Sequence, residues 1–156
     1  MAIEIERKFL VADQGWRNLA TKSQRLRDGL ISHSDGHKVR VRIYQDRATL
    51  TVKSFPAERA RAEFEYEIPT ADAEELLAHH CSLPVLEKIR HYVPYQGFTW
   101  EIDVYEGLLD GVIIAEVELA RADIPLPIPG WIGREVTSDP AYRKFNMVQA
   151  RLALAR

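Results

Sequence analysis

The sequence predicts an α+β protein built on an eight-stranded antiparallel β-barrel, a tunnel with a charged lumen, flanked by a few helices. Three observations predict it. Short runs rich in Val, Ile, Phe, Tyr, Trp and Thr recur with turn-length gaps between them. Within each run charged and apolar residues alternate, so a strand would segregate them to opposite faces. The charged faces carry carboxylates and cations in i, i+2 pairs, where a solvated face would mix in Ser, Thr, Asn and Gln. Any single strand reads as an ordinary solvated face. Taken together, paired like charges repel unless opposite charge lies between them. A closed sheet supplies that arrangement, with one face lining the interior and the other covered from outside.

The elements follow in order. Strands are predicted at 2–11, 24–33, 37–46, 48–54, 61–69, 86–95, 98–106 and 112–120. Asp35-Gly36, Gln45-Asp46, Gln96-Gly97 and Asp110-Gly111 break the runs. A short helix is expected over Asp13–Thr21. A second opens at Thr70, read as its N-cap, with negative charge in its first turn, and ends before Pro84. Residues 124–130 are too Pro-dense for helix or sheet. A last helix is expected from Pro140 to Ala155, with Asp139 as cap. The helices at 13–21 and 70–82 would cover part of the outer apolar face. A partner subunit could cover more, which leaves a homodimer open.

Composition narrows the function classes. The 156 residues are 46% hydrophobic and 28% charged, the profile of one globular domain spanning 1–156. A net charge of −2 gives no global attraction to nucleic acid or to an anionic membrane. No run is long enough to span a bilayer as a helix, and the charged N-terminus does not read as a signal peptide. The lone Cys81 allows no intrachain disulfide. A cytoplasmic protein is the expectation.

The pairs carry the chemistry. Glu4/Glu6, Glu63/Glu65 and Glu116/Glu118 each place two carboxylates on one strand face, close enough to grip one divalent cation. All-oxygen donors suit Mg2+ or Mn2+. The five His residues show no zinc spacing. The complementary cations are Lys8, Arg40, Arg42, Lys53, Lys88 and Arg90. Arg grips phosphate oxygens through a planar fork and Lys acts as a point charge. Six cations in one lumen call for a ligand with several negative charges, and a triphosphate fits. No glycine-rich phosphate loop is present, so side chains would hold it. The reaction most compatible with this set is metal-assisted phosphoryl transfer to water.

The N-terminal Glu-x-Glu-x-Lys at 4–8 resembles the signature of the CYTH superfamily, the triphosphate tunnel metalloenzymes. The resemblance continues through Val39–Arg42, Thr51–Lys53, Arg61–Glu65, Glu87–Arg90, Glu101–Val104, Ala115–Leu119 and Trp131–Thr137, nearly the whole chain. It implies an eight-stranded tunnel plugged at one mouth by the C-terminal helix. The six cations would hold phosphates. Glu4, Glu6 and Glu116 would hold one metal. Glu63, Glu65, Glu118 and Asp103 would serve a second metal or the attacking water. Two stretches depart from the family pattern: Asp28-Gly29-Leu30-Ile31, where Gln-Gly-Tyr-Leu is common, and Tyr142-Arg143-Lys144-Phe145-Asn146. Short members of this shape resemble inorganic triphosphatases, which implies hydrolysis of triphosphate to phosphate and pyrophosphate. The alternatives are a class IV adenylate cyclase, a thiamine or nucleoside triphosphatase, and a non-catalytic module that binds triphosphate or polyphosphate.

Overall fold

Each strand pair in this protein is antiparallel, and the sheet closes on itself. The structure, a computed structural model, describes residues 3–54 and 60–155. The strands are β1 (Ile3–Val11), β2 (Lys22–Ser34), β3 (His37–Ile43), β4 (Ala48–Ser54), β5 (Ala60–Ile68), β6 (Leu86–Tyr95), β7 (Phe98–Glu106), β8 (Ile113–Glu118) and β9 (Ile132–Glu135). The helices are α1 (Thr70–His79) and α2 (Lys144–Leu154). The sheet order is β5-β4-β3-β2-β6-β7-β8-β1-β9, and β5 also pairs with β1. That last pairing, Ile3 with Ala62 through Ile5 with Ala60, makes β1 to β8 a ring.

Local chemistry explains the turns. Asp35-Gly36 and Gln96-Gly97 each place two residues at positive φ (51° and 77°, 46° and 84°), the mirror-type turn that matches strand twist. Strand β2 bends: Lys22–Asp28 pair with β6, while Arg27–Ser34 pair with β3 across a register shift. At the bend α1 approaches closely. A Cβ at Gly29 would stand 2.4 Å from Leu77 Cδ2 and 2.5 Å from Cys81 Sγ, so only glycine fits.

The apolar faces are covered in three places. Trp16, Trp131 and Leu126 from the connecting segments pack over Phe9, Val93, Trp100, Ile102 and Val117. Ala73 and Leu77 of α1 pack over Val41, Ile43 and Ala48. Helix α2 does something different. Its Val148 packs on Leu86, Tyr105 and Ile114, which share strand faces with Lys88, Asp103 and Glu116. The inward face of the barrel therefore turns from charged to apolar at one end, and α2 plugs that end.

The strand predictions hold to within a few residues, although Ala2 lies outside the described residues. A ninth strand was missed: Ile132–Glu135 continues along β1 where β5 leaves it. The helix expected at 13–21 is only a 3-10 turn, Arg17–Leu19. Thr70 is the first residue of α1, not its cap, and Pro69 precedes it without a side-chain cap. The final helix starts at Lys144. Pro140–Tyr142 form a separate 3-10 turn, and Asp139 caps that turn by accepting from the Ala141 amide.

Candidate active site

Alternation carries the charged faces of the strands into one interior cavity of about 470 Å³. All the residues predicted from the sequence line it except Asp103. The lumen divides into two charge groups, each with its own partners.

The acidic group is built by β1, β5 and β8. Lys53 Nζ donates to both oxygens of Glu4, each at 3.3 Å, and Arg61 Nε stands 3.6 Å from Glu4. Arg61 also reaches Glu6, at 3.8 Å. Glu6 and Glu116 are hydrogen-bonded carboxyl to carboxyl, as are Glu4 and Glu63. Burial, then the charges of Glu116 and Glu4, push Glu6 up to about 8. Glu4 is raised by burial and by its hydrogen bond with Glu63. Burial and then Glu4 raise Glu118, which remains exposed, as does Glu65. Burial opposes ionisation of Glu116 as well, but Lys8 and Arg90 outweigh it and hold that carboxyl well below the usual range.

The second group sits toward the plugged end. Arg42 grips Asp28 through two parallel hydrogen bonds of 2.6 and 2.9 Å. Lys88 Nζ lies 2.8 Å from Asp103 and 3.4 Å from Asp28. Arg90 grips Asp103 at 2.8 and 3.0 Å and reaches Glu101 at 3.3 Å. Lys144 of α2 donates to Asp28 at 3.0 Å. Asp103, 1% exposed, is thus enclosed by Lys88 and Arg90 rather than presented to the lumen. The cations on either side overcome its burial and hold it at about 2.

Two predicted cations are less committed. Arg40 reaches Thr51 only at 3.5 Å and Glu65 only at 3.9 Å, and its buried Nε has no hydrogen-bond partner among the described residues. Lys8 Nζ donates to the Tyr142 carbonyl at 3.3 Å.

Sequence reasoning missed several lining residues. Lys38, Arg61 and Glu101 extend the alternation two residues beyond Arg40, Glu63 and Asp103, so the same face periodicity could have found them. Burial, then Arg61, Lys8, Lys53 and Arg143, push Lys38 down to about 8. Asp28, Arg143 and Lys144, expected from the sequence near the tunnel mouths, line the cavity as well. Their position depends on the bend of β2 and the docking of α2, which no local pattern encodes.

A divalent cation fits the acidic group by its chemistry. The donors are all oxygens, and two pairs of carboxyls are close enough to share hydrogen bonds. Among the described residues no three His, Cys, Asp or Glu side chains form a ready-made metal site. Lys53 and Arg61 instead hold Glu4 and Glu6.

A closed antiparallel barrel with interleaved carboxylates and cations, plugged by its own C-terminal helix, defines the class of fold. The CYTH domain profile matches residues 2–142, and the chain belongs to that family. It is 43% identical over 149 residues to the inorganic triphosphatase of Acetivibrio thermocellus, a match covering 96% of this chain and 95% of the relative. It is 34% identical over 148 residues to the inorganic triphosphatase of Nitrosomonas europaea, covering 90% and 93%. Among solved structures it is similar to the inorganic triphosphatase NE1496, at 30% identity, a TM-score of 0.65 and 95% coverage of each chain.

Proposed function

We propose that this protein hydrolyses inorganic triphosphate to phosphate and pyrophosphate inside its tunnel, with Mg2+ or Mn2+ held by the acidic group. The observation that carries this reading is the lumen: both charge signs line one cavity of about 470 Å³, and Arg40, which lines it, has a donor unpaired among the described residues. The relatives named above are inorganic triphosphatases, which supports the choice of substrate.

Roles follow from partners. Lys8, Arg40 and Lys53 hold phosphate oxygens. Arg42, Lys88 and Arg90 complete the phosphate cradle, fixed from behind by Asp28 and Asp103. Asp103 is therefore a positioning residue in this scheme. Glu4, Glu6 and Glu116 hold the dication, with Glu63 as their neighbour. When bound, that ion neutralises charge on the phosphate oxygens. Glu65 and Glu118 face water and orient the attacking molecule. A water oxygen bonds to the terminal phosphorus, the bridging P–O bond breaks, and pyrophosphate leaves. The water's proton passes to the carboxylate that orients it, and burial, which raises Glu118, suits that carboxyl to accept it.

Among the described residues the aromatic side chains that line the cavity are already engaged, and Arg47 stands over the Tyr44 ring at 3.9 Å. Phe145, which lines the cavity, is stacked on His33 at 4.2 Å, and Trp131 is packed in the outer core against Trp100. No described helix is long and apolar enough to cross a membrane. The test is purified protein with Mg2+ or Mn2+ and triphosphate, ATP or thiamine triphosphate, scored for phosphate, pyrophosphate and cyclic AMP. Phosphate release from triphosphate that disappears in chelator is the expected result. Binding without turnover would reduce the protein to a triphosphate-binding module.

A further inference from the structure

Asp28 lies on β2 and is 4% exposed. A lone buried carboxylate is costly unless its charge is met. Here it is met from three elements at once: Arg42 on β3 by two hydrogen bonds, Lys88 on β6, and Lys144 on α2. Burial would favour its neutral form, but these three cations hold it ionised, well below the usual carboxylate range. With Asp103, it is one of two buried carboxylates that serve four cations: Arg42, Lys88, Arg90 and Lys144. Glu101 also reaches Arg90, and burial holds Lys88 and Lys144 below the usual lysine range, so an anion entering the cluster would favour their charged forms.

We infer that Asp28 is a positioning residue for the phosphate cradle, fixing Arg42 and Lys88 while tying them through Lys144 to the helix that plugs the tunnel. The geometry supports both halves. Two parallel bonds fix the plane of the Arg42 guanidinium, which a point contact cannot do. Lys144 is the first residue of α2, and Phe145 beside it stacks on His33 of β2. Val148 one turn later meets Leu86 and Tyr105 of the barrel. The start of α2 is thus held by this ion pair, the ring stack, the Val148 contact and a hydrogen bond from Asn146 to the Pro140 carbonyl at 2.8 Å, and of these four the ion pair reaches Arg42 and Lys88 through their shared partner Asp28.

The inference deepens the triphosphatase reading and rests on it for the ligand. A purely electrostatic role and a positioning role predict opposite signs. Asp28→Asn keeps the shape and removes one negative charge. If Asp28 only dilutes the positive field, the variant binds triphosphate more tightly. If it positions Arg42 and Lys88, the variant binds about tenfold more weakly or worse, the loss of one charge-assisted contact.

The experiment is calorimetric titration of inorganic triphosphate, in chelator, into wild type, Asp28→Asn, Lys144→Gln and the double variant, with hydrogen exchange of the α2 amides on the same samples. Expected results are weaker triphosphate binding by Asp28→Asn, faster α2 exchange in both single variants, and no further acceleration in the double variant. Equal or tighter binding by Asp28→Asn overturns the positioning role. Unchanged α2 exchange in Lys144→Gln overturns the link to the helix, and that variant serves if Asp28→Asn does not fold. Wild type that binds no triphosphate would instead overturn the proposed function, and the exchange result would still decide the Asp28–Lys144 tie.

Discussion

Lys53 Nζ lies 3.3 Å from both carboxylate oxygens of Glu4, so a cation assigned to phosphate and a carboxylate assigned to metal neutralise each other across the lumen. Each takes its ligand fully only by giving up this contact, after which Glu4 retains Arg61 at 3.6 Å. A triphosphate that draws Lys53 away frees Glu4 for a dication, and a dication on Glu4 frees Lys53 for phosphate.

Binding of the two should therefore be cooperative. Reciprocity requires that triphosphate raise metal affinity by the same factor as metal raises triphosphate affinity, and couplings of this kind are roughly 5–150-fold. Calorimetry of each ligand with and without the other measures it. Lys53→Met should shrink the coupling as well as weaken triphosphate binding. Independent binding in wild type would contradict this account of the pair.

The acidic group predicts an unusual pH dependence. Glu6 is raised to about 8 by burial and its acidic neighbours, against roughly 4.3 in an unfolded chain. The folded protein then binds more protons than the unfolded chain between those values, so stability falls as pH rises through that window. The contribution is fully present below the unfolded value and lost above about 8. Asp28 and Asp103 run the other way, adding stability above their unfolded value and losing it as pH falls through their depressed ones. In chelator, the thermal midpoint should fall between about pH 6 and about pH 8, and Glu6→Gln should flatten the fall. A midpoint that rises over that range would contradict the raised Glu6.

Two carboxylate variants should separate chemistry from stability. Glu6→Gln replaces a carboxyl whose ionised form burial and its neighbours disfavour, so it should be no less stable than wild type in chelator. Glu116→Gln removes a charge that Lys8 and Arg90 favour, and should be less stable. Both should lose metal-dependent triphosphatase activity by about a hundredfold or more, in line with removal of a charge-stabilising group from a reaction centre. Thermal melts beside turnover assays distinguish the two effects.

Gly29→Ala tests the fold rather than the chemistry. Its Cβ would press on Leu77 of α1 and on Cys81 of the loop that follows it. Overpacking of this kind costs about 1–3 kcal/mol. A denaturant midpoint equal to wild type would mean that α1 can shift away from β2.

The alternation along strands was legible because it has a period of two and needs only local residues. It located Glu4, Glu6, Lys8, Arg40 and Glu116 in one cavity without any tertiary information. It did not rank residues along a face. Asp103 is the predicted site residue, yet Glu101 lines the lumen and Asp103 lies between Lys88 and Arg90. Depth in the barrel depends on register between β6 and β7, where Arg90 pairs with Asp103, and a single strand does not contain it. The ninth strand was hidden for a related reason. It is four residues long and exists because β1 extends past β5, leaving an edge for Arg7 and Glu135 to clasp at 2.6 and 2.9 Å. The first predicted helix failed because Trp16 and its neighbours gain more by burying the indole against the barrel than by completing a helix.

The most direct test of the central claim is competition between inorganic triphosphate and ATP in one mixture, with Mg2+ or Mn2+ present, followed by phosphorus NMR. The tunnel account predicts that triphosphate is consumed first, that phosphate and pyrophosphate appear in equal amounts, and that no cyclic AMP forms. ATP consumed as fast as triphosphate, or any cyclic AMP above a control without enzyme, would contradict it.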